Sequence, residues 1–436
     1  MPSRPRLPSH MARPDGAPTA LSGVLVVDFT RVIAGPMCTQ LLADLGARVI
    51  KIENPDGGDD TRHISHATLG GETASFLTFN RGKRSVALDL TRPEGRDVAL
   101  ELIRKADVVV ENFTTGVMER LGLGYETVAE TNPKLVYCSV SAYGRTGAFA
   151  RRAGYDPVVQ AESGLMSLNG YTDRPPVRIG PPVIDLSTGI LACNAVLAAL
   201  LARQHLGRGQ RVEVSLFDTA TALTSMFAMG YLMSGKNPAR FGQAPRGAAP
   251  VGLFEASDGV FYLACVNNRV YRRLVVDGLG RPDLADDPRF ATNTARTENR
   301  EALDGVLAEI FARRSCAEWM STLQTANVPA GPLRSIAEAI DSAEMRDRGV
   351  VTEIPHPTAG RVPNIAPPFR FSATPPVDPM AAPLLGEHTR EVLSSLLGYD
   401  DGQLAGLADA GIFGDHRPNV GVGEGAVAKQ SLQRVK

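Results

Sequence analysis

The sequence has no cysteine pair at metal-binding or redox spacing: Cys38, Cys138, Cys193, Cys265 and Cys316 are scattered through 436 residues. An odd number of cysteines without any Cys-x-x-Cys fits a reducing compartment and argues against a zinc knuckle or a disulfide framework. An excess of charge of one sign is also missing, the formal net charge being −1. Nucleic acid and anionic membranes therefore lose their global electrostatic case, and only a local basic pocket is left for a phosphorylated ligand. No apolar run reaches the roughly 18–20 residues that span a bilayer. The best candidate is 189–201, so a soluble chain without a membrane partner is expected. Residues 1–20 hold Pro and Arg but no apolar segment, which reads as a flexible tail and not as a secretory signal. The expected location is the cytoplasm, or the mitochondrion if the chain is eukaryotic.

The familiar catalytic signatures are absent as well. No Gly-x-Gly-x-x-Gly follows the first expected strand, and there is no Walker-type Gly-Lys-Ser/Thr loop, no Gly-x-Ser-x-Gly elbow and no His-Glu-x-x-His. Nicotinamide enzymes, nucleotide triphosphatases, serine hydrolases and zinc proteases all lose ground. Of the seven histidines only His63 and His66 stand at a ligand-like spacing. That pair reads as loop polarity, so no metal is expected.

What is present is an alternation of short β-branched runs with helical segments. Strands are expected at 24–29, 48–53, 85–90, 107–111, 135–141 and 211–217, with helices at 37–45, 93–105 and 188–204. Continuous apolar strands separated by helices imply a parallel sheet covered on both faces. The helix 188–204 is apolar almost all round and must be buried in a core or at a subunit interface. Beyond residue 226 the texture changes, with a short strand pair near 260–266 and helices at 301–313 and 316–326. The fold class is therefore α/β: a Rossmann-like large domain at 21–225 and a smaller α+β domain at 226–350. A proline-bearing connector at 351–371 returns the chain to the large domain within 351–418, and 419–436 is a second tail.

Two features have chemical content. The loop Asp28-Phe29-Thr30-Arg31-Val32-Ile33-Ala34-Gly35-Pro36 runs from a strand straight into a helix, and the N–H groups at such a helix start suit a phosphate. It is equally a plain strand-to-helix turn. Asp185, before the long apolar helix, is either an N-cap or a carboxylate nucleophile able to form a mixed anhydride with an acyl group. The two roles compete for the same oxygens.

These segments, together with Leu45-Gly46-Ala47-Arg48-Val49-Ile50-Lys51-Ile52-Glu53, Asn80-Arg81-Gly82-Lys83-Arg84-Ser85, Val110-Glu111-Asn112-Phe113, Gly154-Tyr155-Asp156, Gly207-Arg208-Gly209-Gln210 and Pro383-Leu384-Leu385-Gly386-Glu387-His388-Thr389, occur in one order along the chain. The sequence resembles the class III coenzyme A transferases, the CaiB/BaiF family. The resemblance implies an interlocked homodimer and a catalytic aspartate at Asp185. It also implies CoA contacts at Arg31, Val32, Ile33, Ala34, Leu88, Asn112, Phe113, Arg120 and Tyr155. CoA and acyl-CoA are then substrates, and no permanently bound cofactor is implied.

Departures shape the substrate expectation. Formyl-CoA transferases carry glutamine where Ile33 stands and a glycine run where this chain has Arg246-Gly247-Ala248-Ala249, which argues against formyl-CoA and oxalate. α-Methylacyl-CoA racemases of the same fold have histidine at the place of Tyr155, whose phenol, with an unperturbed pKa of about 10, is a poor base. Transfer is favoured over racemisation. The run Gly58-Asp59-Asp60-Thr61-Arg62 looks like the succinyl-CoA:glutarate branch, extended here to hydroxymethylglutarate, citramalate, itaconate and mesaconate. A second carboxylate calls for a cation, for which Arg178 and Arg246 are the candidates.

Overall fold

The structure, a computed structural model, describes residues 16–64, 67–245 and 247–414. His66, Arg246 and the expected tail at 419–436 lie outside the described residues, as do residues 1–15 of the expected leading tail. Two compact units are present: one built from 16–159, 181–222 and 346–414, the other from Gln160–Gly180 and Leu223–Met345.

The first unit is organised by a six-stranded sheet. Its strands are β1 (Leu25–Asp28), β2 (Arg48–Glu53), β3 (Lys83–Ala87), β4 (Val108–Glu111), β5 (Val136–Ser141) and β6 (Gln210–Ser215). The order is β3-β2-β1-β4-β5-β6, and every neighbouring pair is parallel. Val26, Val27, Val108, Val109 and Val110 are fully buried, as a sheet covered on both faces requires. One cover is α2 (Pro93–Lys105), which opens on its proline and turns Val98, Ala99, Leu102 and Ile103 inward. That i, i+1, i+4, i+5 stripe packs in one core with Val27, Val86 and Val109.

The other face holds α1 (Ala34–Asp44), followed much later in the chain by α4 (Val183–Leu206), while α3 (Asp156–Glu162) begins within this unit. Helices α1 and α4 meet closely. A Cβ added at Gly189 would stand 2.6 Å from the Ala34 carbonyl oxygen and 2.7 Å from Met37 Cβ, so glycine is what lets the backbones approach. With its 24 residues α4 is long and apolar enough, by length and composition, to cross a membrane. That corrects the expectation that no such segment exists. Its fully buried Ile184, Ala192 and Val196 give it a core role within the unit.

The second unit has a three-stranded antiparallel sheet, β7 (Val251–Glu255), β8 (Val260–Ala264) and β9 (Ala330–Pro332), with β8 central. Helices α5 (Arg300–Phe311) and α6 (Cys316–Thr325) share its core. The Phe311 ring there meets Phe261 edge-on at 5.0 Å and Trp319 at 5.1 Å.

The segment expected to be a plain extended connector is in fact a hairpin in the first unit, β10 (Val351–His356) against β11 (Gly360–Ile365). Its prolines are compatible with strands because the ribbon has only two of them, leaving one edge of each strand unpaired.

Candidate active site

Strand β1 lies between β2 and β4, the point at which the winding of the sheet reverses. In open parallel sheets ligands collect outside the carboxyl ends of the strands at such a point. The two loops leaving β1 and β4 are clamped together there. Arg31 N–H donates to Asn112 Oδ1 at 2.9 Å, and Asn112 Nδ2 donates back to the Arg31 carbonyl at 2.8 Å. The Arg31 guanidinium stands 5.3 Å from the Phe113 ring centroid, within cation–π range.

Under the first loop runs a buried ionic network. Asp28 accepts from Thr30 N–H at 2.9 Å, Thr30 Oγ1 at 2.6 Å, Thr39 Oγ1 at 2.7 Å and Lys83 Nζ at 3.0 Å. Lys51 Nζ donates to the Thr30 carbonyl and to Asp59 Oδ2, both at 2.8 Å. Burial pushes the Lys83 ammonium down to about 8 despite Asp28 beside it. Against the upward push of burial, Lys51 and the Thr61 bonds hold the Asp59 carboxyl at about 2. Above this network Val32 has φ +70, a left-handed conformation costing a β-branched residue about 1–3 kcal/mol. Its N–H donates to Asp59 Oδ1 at 3.2 Å. Next comes α1, whose N-cap Ile33 provides no side-chain cap, so the first N–H groups of the helix are open to an anion.

A cavity of about 220 Å³ opens over these loops. Arg31, Val32, Ile33 and Ala34 line it from the first loop, Asn112 and Phe113 from the second, and Tyr155 and Asp185 from the far wall. An adjoining cavity of about 400 Å³ shares Arg31, Asp60 and Phe113 with it and includes Leu88. Arg120 is exposed and borders neither of these cavities, although Val117 and Leu121 on either side of it line the second. Arg178 lies in the second unit, exposed, its Nη1 donating to the Ile179 and Gly180 carbonyls. Its companion candidate Arg246 is outside the described residues. His63 Nε2 bonds to the Gly57 carbonyl at 2.8 Å.

Asp185 is not an N-cap. Helix α4 begins at Val183 with Pro182 as its cap position, so Asp185 is the third residue of the first turn. The capping is done from a distance. Asp156 Oδ2 accepts Ile184 N–H at 2.7 Å and Asp185 N–H at 3.1 Å. Asp185 is left at the cavity wall as a residue 9% exposed. Burial, and after it the Asp156 carboxylate, push its carboxyl up to about 7.

Comparison with known proteins places this arrangement. The sequence matches CoA-transferase family III over residues 21–389. The chain belongs to that family. It is 37% identical over 396 residues to a mouse succinyl-CoA:glutarate CoA-transferase, covering 91% of each chain. To an acetyl-CoA:oxalate CoA-transferase of Acetobacter aceti it is 40% identical over 341 residues, 78% of this chain and 86% of the other. The crystal structure of a CaiB/BaiF family protein from Brucella suis superposes with a TM-score of 0.79 at 39% identity, covering 87% of this chain and 100% of that one. As a family III CoA-transferase the protein takes CoA thioesters and free carboxylic acids as substrates.

Several residues that shape this candidate site carried no role in the sequence. Asp156 was legible only as part of a motif, because its two N–H donors lie 28 and 29 residues away. Arg145, buried, donates to Glu111 Oε1 at 2.7 Å, to the Val140 carbonyl at 3.0 Å and to the Phe113 carbonyl at 2.7 Å. It thereby ties the second loop to β5. Arg152 also lines the first cavity, its guanidinium 4.9 Å from the Tyr143 ring centroid. An Arg after a strand gives no local sign of either duty.

Proposed function

We propose that this chain transfers CoA from an acyl-CoA, succinyl-CoA in the first instance, to a dicarboxylic acid, with Asp185 as the covalent nucleophile. The observation that carries the proposal is the Asp185 carboxyl itself. It faces a cavity beside two loops suited to a phosphorylated ligand and is relieved of helix capping by Asp156. Among the described residues no group donates a hydrogen bond to it. A carboxylate in that state is poorly solvated and hence a strong nucleophile once deprotonated.

The steps balance without an outside reactant. An Asp185 oxygen attacks the thioester carbonyl of the donor, the C–S bond breaks, and CoA thiolate leaves behind an aspartyl–acyl anhydride. The thiolate attacks the aspartyl carbonyl, releasing the donor acid as carboxylate and forming an aspartyl-CoA thioester. The acceptor carboxylate attacks the same carbonyl and expels CoA thiolate, giving a second anhydride. Thiolate attack on the acceptor carbonyl then yields the new acyl-CoA and frees the Asp185 carboxylate. Each tetrahedral oxyanion needs donors, and the open N–H groups at the start of α1 are suitably placed on the cavity wall.

The mouse relative supports succinyl-CoA as donor and glutarate as acceptor, and hydroxymethylglutarate, citramalate, itaconate and mesaconate belong to the same class. The Acetobacter relative brings oxalate back among the acceptors, against the inference drawn from Ile33 and from the run 246–249. A homodimer is part of the proposal, supported by Ile190, Leu191, Leu201 and Leu206, which leave an apolar stretch of α4 facing outward. A reducing compartment, the cytoplasm or the mitochondrial matrix, suits the five free cysteines.

The test is a matrix of acyl-CoA donors against dicarboxylic acceptors, run in deuterated water. CoA exchange between two acids without deuterium at the α-carbon is expected. Deuterium incorporation without exchange would replace the transferase with a racemase.

A further inference from the structure

We propose that Asp59 is a positioning residue for acyl-CoA: its carboxylate, fixed by the Lys51 ammonium, holds Val32 in its left-handed turn and so shapes the loop that walls the first cavity. The proposal rests on the reading above that acyl-CoA occupies that cavity.

Val32 is the joint between two segments fixed by other means. Before it, Thr30 is pinned by Asp28 and Lys51, and Arg31 is pinned by Asn112 through bonds in both directions. After it, the Ile33 carbonyl accepts Met37 N–H at 2.8 Å and starts α1. A valine does not adopt φ +70 by preference. The hydrogen bond from its N–H to Asp59 Oδ1 compensates for that. Relaxation of Val32 to negative φ would turn the Arg31–Ile33 loop away from the start of α1 and close the open N–H groups off from the cavity.

Asp59 is well anchored for this work. It is 1% exposed. Besides Lys51, its carboxylate accepts from Thr61 N–H at 2.9 Å and Thr61 Oγ1 at 2.8 Å, while its own N–H donates to Glu53 Oε2 at 3.1 Å. Glu53 in turn holds the Arg62 guanidinium at 2.8 Å and Ser85 Oγ at 2.6 Å. The loop is thus referred, through Asp59, to β2 and β3. Asp59 also borders the second cavity, so direct contact with the ligand is the rival explanation and the test must separate the two.

Glycine reaches φ +70 without steric cost, which supplies that separation. Asp59→Ala is expected to raise the dissociation constant for CoA, measured by titration calorimetry, at least tenfold. In a Val32→Gly background the same substitution is expected to raise it less than threefold, since the joint no longer needs holding. An equal loss in both backgrounds would point to ligand contact or general support and would overturn the proposal, as would an unchanged constant. Should Asp59→Ala fail to fold by circular dichroism, Val32→Pro leaves the Lys51–Asp59 pair in place, removes the N–H and locks φ near −65°. It is expected to weaken CoA binding at least tenfold, and unchanged binding overturns the proposal. An unsubstituted chain that binds no CoA removes the reading of the cavity, and the Asp59 proposal with it. A chain that binds CoA while the substitutions change nothing removes the Asp59 proposal alone.

Discussion

Asp156 caps the helix that carries Asp185: its Oδ2 lies 2.7 Å from Ile184 N and 3.1 Å from Asp185 N. One carboxylate therefore does the structural work that the other would otherwise do, and at the same time opposes ionisation of its neighbour. Asp156→Asn keeps an acceptor oxygen for the two N–H groups and removes the charge. On the proposed mechanism only deprotonated Asp185 attacks, so kcat/KM for the donor should climb on the acid side with a midpoint near 7. In Asp156→Asn the midpoint should fall, but by less than half of its elevation, because burial is the larger cause and persists. An acid limb that stays in place in the variant would show that the two carboxylates are not coupled.

The raised Asp185 carboxyl also has a consequence for stability. The folded state holds this proton more tightly than the unfolded chain, so the stabilisation is complete below the usual 3.8 and is lost as pH rises through about 7. Above pH 7 the folded protein must carry a buried, unpaired carboxylate. Asp185→Asn removes that burden and, on the proposed mechanism, is expected to abolish transfer. Its unfolding free energy at pH 8 should exceed that of the unsubstituted protein by up to about 4 kcal/mol, and the difference should shrink toward zero at pH 4. Denaturant titrations at the two pH values check the sign. A variant less stable at pH 8 would mean that the folded state does not raise the Asp185 carboxyl, and one turning over at near the original rate would remove Asp185 from the mechanism.

Gly189 stands one helical turn after Asp185 and therefore on the same face of α4. A methyl group there must displace the Ala34 carbonyl or Met37, pushing the start of α1 away from the carboxylate. Since a misplacement of about 1 Å can reduce a rate about 100-fold, Gly189→Ala is expected to lower kcat at least tenfold. Its far-UV circular dichroism should remain that of the folded protein. Normal kcat in a folded variant would mean that α1 and α4 need not be so close.

The parts of this fold that were legible in the sequence are those set by local periodicity. Strand β2 at Arg48–Glu53 and helix α2 at Pro93–Lys105 were expected with the bounds they have. What failed was governed by distant partners. Strand β3 starts at Lys83, two residues before the expected start, because the Lys83 side chain is buried on Asp28, 55 residues away, and a lysine read locally belongs on the surface. Helix α4 starts five residues before the expected Thr188, because Asp156 supplies from α3 the cap that the local sequence lacks. The hairpin at Val351–Ile365 was hidden by its prolines, which occupy the unpaired edges of a two-stranded ribbon. Of the candidate site, the loop 31–34, Asn112, Phe113, Tyr155 and Asp185 do converge on one cavity. The ionic network beneath them could not be anticipated, since its pairs are joined by topology and not by spacing.

The second unit offers an independent probe, because the only tryptophan of the chain, Trp319, lies in its core. Trp319 is 3% exposed, and its Nε1 donates to the Phe311 carbonyl at 2.8 Å. The Phe311 ring contacts Trp319, Phe261 and Phe254 within 5.2 Å between centroids. Phe311→Ala keeps the carbonyl but leaves a cavity where three aromatic rings met, a loss of about 3–5 kcal/mol. Tryptophan emission followed in urea should therefore show a lower midpoint with an unchanged slope. A stability loss, midpoint shift multiplied by slope, smaller than about 1 kcal/mol would mean that the three rings close over the gap, and that the aromatic cluster is not what holds this unit together.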